Sequence, residues 1–348
     1  MNPYRFVRPL LFRLDAEKAH DCTLGLLELC GKLRPLRSLL SAAFAVPDPA
    51  LRVCALGLEF ANPLGLAAGY DKDGRALHGL ASLGFGYIEL GTVTPAAQGG
   101  NPKPRIFRLP QDEALINRMG FPNEGAQALQ GRLQRGRPCG IVLGVNIGKG
   151  ADTPLERAAD DYESLLRVFH PLADYLVINI SSPNTVGLRR LQGRDYLEQL
   201  LARMGTAREE LQKGVDRRVP ILVKIAPDLA EIELEDAVGV IAARGMDGVI
   251  ATNTTLARGT LRSAVRNEQG GLSGAPLHRR AEEVVRRIHA LCNGRLPIIA
   301  VGGILSASDA KRMLDAGASL IQVYSGLVFR GPGLVKEILV ALREQHQR

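Results

Sequence analysis

The 348-residue chain has no tryptophan, and aromatic residues together make up only 5% of it. Single-stranded nucleic acid is gripped by stacking bases on aromatic rings, so no nucleic-acid partner is expected. Long apolar runs are missing as well: the longest stretches without Asp, Glu, Lys or Arg are the 14 residues 175–188 and 316–329. A spanning helix needs ~20 mostly apolar residues, which excludes one here. The five cysteines (Cys22, Cys30, Cys54, Cys139, Cys292) are odd in number, scattered and free of any CxxC pair. They supply neither a disulfide framework nor a metal site, and they fit a reducing compartment. Acidic residues are outnumbered, leaving a net charge of +8. The basic side chains are dispersed, which fits attraction to an anionic ligand or an anionic membrane surface.

What is present is ordinary globular material. Hydrophobic residues make up 46%, and the 38 Gly and 20 Pro are spread along the chain, so disorder and collagen-like repeats are excluded. The length fits about two domains or one large α/β barrel with an added segment. From residue 62 onward eight short, β-branched apolar runs recur, at 64–68, 87–90, 141–146, 175–180, 221–225, 248–252, 297–301 and 319–324. Near-continuous hydrophobicity is what a strand covered on both faces requires. Amphipathic segments at 197–211, 234–243, 281–291 and 308–316 supply the cover. The expected fold is therefore α/β, a (β/α)8 TIM barrel, with a doubly wound open sheet as the rival.

Residues 1–45 stand outside this alternation and form a small N-terminal helical extension, leaving 46–348 as the barrel. Residues 16–33, AEKAHDCTLGLLELCGKL, read as an amphipathic helix, and Pro35 opens a second helical stretch that ends before PDP at 47–49. The first residues resemble a secretory leader, yet Arg8 and Arg13 break the apolar run and no small-residue cleavage site follows, so retention is expected. Two compatible roles remain open for the extension. It is a cap on the barrel, or a surface anchor in which Arg5, Arg8 and Arg13 stand beside Phe6, Leu10, Leu11 and Phe12.

The segments that follow the eight runs are AAGYDK (67–72), GTVT (91–94), NIGKG (146–150), NISSPN (179–184), KIAPD (224–228), TNTT (252–255), GG (302–303) and YSG (324–326). Barrel active sites lie at strand C-termini, so these residues converge on one face. The long connections after the second, fourth and sixth runs begin there too. Bare amides at GG and YSG suit a phosphate, or they are tight turns. GVNIGKG is not a phosphate-binding P-loop, because Leu143 and Gly150 replace the required Gly and Ser/Thr. Asn117, Asn146, Asn179, Asn184 and Asn253 suit a planar heterocycle with N–H and C=O groups, or a carboxylate. Lys72 and Lys224 are strand-end cations, open to Schiff-base chemistry or to stabilising negative charge on a ring. Asp71 and Asp228 stand alone, and no metal site or carboxylate pair is expected. Ser182 remains as a proton acceptor, or as a turn residue.

At these residues the chain resembles the dihydroorotate dehydrogenases, in particular the membrane-associated, quinone-reducing class 2. AAGYDKDG (67–74), IELGTVTP (88–95), PRIFRL (104–109), INRMGFPNEG (116–125), INISSPNT (178–185), VKIAPDL (223–229), GVIATNTT (248–255), GGLSGAPL (270–277) and VYSG (323–326) occur in order. The resemblance implies FMN-dependent oxidation of (S)-dihydroorotate to orotate, with a membrane quinone as acceptor. It implies FMN contacts from Ala68, Gly69, Tyr70, Asp71, Lys72 and Thr92, from Asn146, Asn179 and Lys224, and from Thr252, Gly274, Gly303, Tyr324 and Ser325. Substrate contacts would be Lys72, Asn117, Arg118, Met119, Gly120, Phe121, Asn179, Asn184, Asn253 and Thr254. Ser182 would be the catalytic base, and serine rather than cysteine there assigns class 2. His20, Arg108 and Tyr324 would contact quinone in a tunnel under the extension. The protein would lie peripherally on the cytoplasmic face of the bacterial inner membrane. Tyr70 departs from the Leu or Phe more often found in members. On the residues alone, a Schiff-base aldolase using Lys224 and a surface-binding module on a degenerate barrel remain alternatives.

Overall fold

Strands buried on both faces must pair with parallel neighbours under helices, and the eight apolar runs do so. In the computed structural model, which describes residues 4–214 and 217–346, they form β1 (Leu64–Leu66), β2 (Tyr87–Val93), β3 (Val142–Ile147) and β4 (Tyr175–Asn179). The ring continues with β5 (Ile221–Ile225), β6 (Gly248–Ala251), β7 (Ile298–Val301) and β8 (Leu320–Val323). Each strand pairs with the next in sequence, and β8 closes onto β1. Closure excludes the open doubly wound sheet. Outer helices include Arg194–Gln212, Glu231–Ala243, His278–Leu291 and Ala307–Asp315, covering the four amphipathic segments to within a residue.

Side chains inside the ring change character from bottom to top. At the bottom, Phe60, Tyr87, Tyr175, Leu222, Ile250, Ile299 and Leu320 pack as one apolar plug. Gly65 and Gly144 make room for it, since a Cβ at either would collide with the Tyr87 or Tyr175 ring. Phe60 arrives from a hairpin, Val53–Ala55 with Leu58–Phe60, that precedes the barrel. Alternation along the strands then brings Glu89, Gln322, Asn146 and Lys224 inward one layer up, all of them buried. Polarity therefore rises toward the strand C-termini.

Above that end the long connection after β2 folds back as Ile106–Leu109 against Ala114–Asn117. Gly271–Gly274, from the connection after β6, adds a third antiparallel strand. Three helices precede the barrel: α1 (Tyr4–Leu11), α2 (Ala16–Lys32) and α3 (Arg34–Phe44). Asp15 caps α2 by accepting from the amides of Glu17 and Lys18 at 3.0 and 3.1 Å. Two glycines let α2 lie against the helix Leu77–Ala81, where a Cβ on Gly79 would strike the Leu27 carbonyl and one on Gly31 the Gly79 amide. Glu17 turns inward and meets the buried Arg105 guanidinium at 2.7 Å, tying the extension to the long connection.

Candidate active site

A cleft with about 970 Å³ of open space, part of it continuous with solvent, occupies the barrel mouth. Ala68, Gly69, Lys72, Thr92, Asn179, Lys224, Thr252, Gly274, Gly303, Tyr324 and Ser325 all line it. So do Asn117, Met119, Gly120, Phe121, Ser182, Asn184, Asn253 and Thr254. Residues up to about 250 positions apart thus meet because each ends a strand or lies in a strand-end connection.

One end of the cleft is made of backbone. Gly303 has φ of +66°, and a Cβ there would strike His278 and the Gly274 carbonyl, so the chain passes bare. The helix Ser325–Arg330 begins beside it, and its first amides have no partner within the helix. Ser325 Oγ lies 2.8 Å from Ser273 Oγ. Together these form a cradle suited to a phosphate.

The other end is a network of amides. Asn146 Oδ1 accepts from Thr92 Oγ1 at 2.5 Å and from Asn179 Nδ2 at 3.0 Å. Asn179 Oδ1 accepts from Ser181 Oγ at 3.2 Å and Asn253 Nδ2 at 3.4 Å. Asn184 Nδ2 donates to Asn117 Oδ1 at 3.2 Å. Thr254 Oγ1 is buried on the wall with no hydrogen-bond partner among the described residues, and so is Gln322 Oε1. Such orphaned atoms mark where a ligand's donors and acceptors are due. Lys72 donates to the Gly69 carbonyl at 2.9 Å, and burial pushes its pKa down.

Ser182 is 5% exposed and its Oγ accepts from the Asn184 amide at 3.3 Å. Arg189 clamps the loops around it. The guanidinium donates to the carbonyls of Ser181 at 3.1 Å and Thr254 at 2.9 Å, and pairs with Asp228 at 2.7 Å. Asp228 also accepts from Thr255 Oγ1 and the Leu256 amide. Asp228 and Thr254 follow strands and are legible as strand-end residues, but Asp228 does not stand alone: Arg189, which joins the two, lies 39 and 65 positions away and carries no strand-end signal.

Four candidates do not line the cleft. Asp71 accepts from the Arg75 and Ala76 amides at 2.9 and 2.7 Å and caps its own turn. Asn146 is fully buried behind Thr92 and Asn179. Arg118 turns outward to pair with Glu268 at 2.7 Å and to lie over the Phe107 ring. Tyr70 faces a second cavity.

That second cavity, with about 1300 Å³ of open space, lies between the barrel and α1–α2. Its walls are mostly apolar, with Val7, Leu11, Phe12, Ala19, Leu27 and Leu115 among them. His20, Arg108 and Tyr324 all border it. Arg108 donates to the carbonyls of Leu11, at 2.9 Å, and Leu14. His20, Tyr70 and Tyr324 stack edge to face, with centroids 5.0 and 5.8 Å apart. Tyr324 lines both cavities and is the wall between them, and burial pushes its phenol to about 12. Burial and the Lys72 charge hold the His20 pKa down at about 4, so its imidazole is neutral at pH 7.

Residues 50–345 match the sequence profile of the dihydroorotate dehydrogenases. The chain belongs to that family. A relative from Alkalilimnicola ehrlichii, named dihydroorotate dehydrogenase (quinone), is 50% identical over 99% of this chain and 100% of its own length. One from Chromobacterium violaceum with the same name is 51% identical over 96% of each chain. The crystal structure of Eimeria tenella DHODH in complex with ferulenol superposes with a TM-score of 0.87 at 40% identity, covering 94% of this chain and 90% of that one. Dihydroorotate dehydrogenases are flavin-dependent, and the cleft has what a flavin demands: a bare-backbone cradle, an amide wall, the Lys224 cation and the orphaned Gln322 acceptor.

Proposed function

We propose that this protein binds FMN in the barrel-mouth cleft, oxidises (S)-dihydroorotate to orotate there, and passes the electrons to a membrane quinone held in the apolar cavity. Orotate formation is the fourth step of de novo pyrimidine synthesis. The observation that carries the reading is the pair of cavities, one polar and one apolar, sharing Tyr324 as a wall.

In this reading the Gly303 and Ser325 backbone would hold the phosphate of FMN, and Thr92, Asn179 and Lys224 would hold its ring, with Asn146 supporting Thr92 and Asn179 from behind. When bound, FMN would supply the two-electron acceptor that this oxidation needs. Lys72, Asn117, Asn184, Asn253 and Thr254 orient the substrate by its carboxylate and ring amides. Ser182 takes the proton from C5. Serine is a weak base at neutral pH, so burial at 5% exposure matters: it holds the hydroxyl in place to take the C5 proton as its own proton leaves to water at the solvent-open end of the cleft. Lys224 holds a positive charge where reduction places negative charge. The aldolase alternative requires a Lys224 amine free to attack a carbonyl, whereas Lys224 Nζ stands in a buried ion pair with Glu89 at 3.8 Å.

The extension would dock on an anionic membrane surface at the cytoplasmic face of the bacterial inner membrane. No helix among the described residues is long and apolar enough to cross a membrane. Yet among the described residues eight of the eleven exposed large apolar side chains are Phe6, Val7, Leu10, Leu14, Leu26, Leu29, Leu33 and Leu39, all in or beside α1–α3. Arg5, Arg13, Lys18, Lys32 and Arg34 are exposed among them.

The deciding experiment is an anaerobic absorbance spectrum before and after adding dihydroorotate. A flavin spectrum that bleaches is expected. A flavin that stays oxidised would remove the substrate assignment, and a colourless protein that FMN cannot reconstitute would remove the cofactor.

A further inference from the structure

Glu89 is the only acidic residue in the eight barrel strands and is 1% exposed, below the cleft floor. A carboxylate so deep is costly to keep ionised unless donors surround it. They do. Oε1 accepts from Asn146 Nδ2 at 2.8 Å and faces Lys224 Nζ at 3.8 Å. Oε2 accepts from Gln322 Nε2 at 2.7 Å and from the Tyr175 hydroxyl at 3.4 Å.

An ionised carboxylate only accepts, whereas an amide can sit in its place either way round. Glu89 therefore decides the orientation of each amide that touches it. Asn146 must turn its NH2 down to Glu89, which leaves Oδ1 facing up to Thr92 and Asn179. Asn179 must then present its NH2 to Asn146, and its Oδ1 to Ser181 and Asn253. Gln322 must likewise give its NH2 to Glu89, which strands Oε1 as a bare acceptor on the cleft wall. The same carboxylate is the counter-charge of Lys224, the cation of the cleft floor.

We propose that Glu89 is a positioning residue: its charge fixes the direction of the Asn146–Asn179–Asn253 relay and of Gln322, and offsets Lys224, so it sets the affinity and reduction potential of the bound flavin without touching it. The inference rests on the reading of the cleft as a flavin site. Replacing the carboxylate by an amide of the same shape frees each partner to flip. It also leaves the Lys224 charge unopposed, which favours the more negative, reduced flavin.

The test compares wild type, Glu89→Gln and Glu89→Asp as FMN-loaded full-length proteins, reading flavin dissociation by fluorescence and midpoint potential by spectroelectrochemistry. Glu89→Gln is expected to release oxidised flavin roughly tenfold more readily, the scale of one lost charged hydrogen bond, and to shift the potential positive. Glu89→Asp keeps the charge but is too short to reach Asn146 and Gln322 together. Its affinity falls severalfold while its potential stays at the wild-type value, and it carries the test alone if Glu89→Gln does not fold. Unchanged affinity in either variant, no positive shift in Glu89→Gln, or an equal shift in Glu89→Asp overturns the proposal. A wild-type protein that holds no flavin overturns the flavin reading instead.

Discussion

The barrel-mouth cleft and the cavity under the helices sit on either side of Tyr324, yet they are built by opposite means. Strand ends supply the cleft, and its side chains are tied to one another by directed hydrogen bonds. Two helices resting on the barrel supply the cavity, and its walls are aliphatic and aromatic side chains with His20 and Arg108 at the edge. Directed bonds fix geometry at the expense of tolerance, which suits proton and hydride transfer. Undirected packing tolerates ligand variation and movement, which suits a hydrophobic carrier that enters from a membrane. Changes in one region should therefore leave the half-reaction of the other intact.

Ser182→Ala gives the largest separation. Flavin reduction by dihydroorotate should fall by ~10²–10⁴ at neutral pH, the usual worth of a positioned acid–base group. Bound flavin and reoxidation of the chemically reduced protein by quinone should be unchanged. Stopped-flow absorbance measures both halves, and near-normal reduction would take Ser182 out of the base role. Ala19→Trp is the converse. Ala19 is a small side chain on the wall of the apolar cavity, and an indole there fills space that a quinone would need. Quinone-dependent turnover should drop at least ~10-fold while dihydroorotate still bleaches the flavin at the wild-type rate. A slowed bleaching step would mean that the two regions are coupled.

The two regions also differ in how far the sequence reveals them. Strands covered on both faces write themselves as apolar runs, so the barrel and the residues at its strand ends are legible. Orientation is not. Asn117 and Met119 line the cleft, but Arg118 between them turns out to Glu268, 150 positions away, a pairing that no local pattern announces. Gly69, at φ +98°, turns the chain so that Tyr70 faces the other cavity. Glu89 and Gln322 carried a usable signal, a carboxylate and an amide inside runs with no water to solvate them. Ser273 and Arg189, the partner of the strand-end Asp228, carried none, because pairing across the folded barrel creates their roles.

The join between the regions gives a smaller effect. Glu17 on α2 and Arg105 in the connection after β2 form a largely buried pair. Glu17→Gln leaves the guanidinium with the carbonyls of Gly99 and Asn101 but without its counter-charge. A cost of about 3 kcal/mol is expected, the low end for breaking a buried pair. Urea denaturation should show it, with loss of quinone turnover at lower urea than loss of flavin. Coincident losses would mean that extension and barrel unfold as one unit.

The smallest expected effect is a titration confined to the apolar side. His20 is held near 4 in the folded protein and returns to about 6.5 when unfolded. Between those values the unfolded chain binds the extra proton, so stability rises with pH and is lost as pH falls from 6.5 toward 4. By pH 5 the loss from this residue is ~1–2 kcal/mol, or a few degrees in melting temperature. His20→Asn keeps a polar side chain and removes the titration. Its melting temperature should therefore fall less steeply than that of wild type across this window, with the flavin signal in the cleft indifferent to the substitution. Parallel curves would mean that water reaches His20 freely, and the cavity would then be open on the side where a hydrophobic ligand needs it closed.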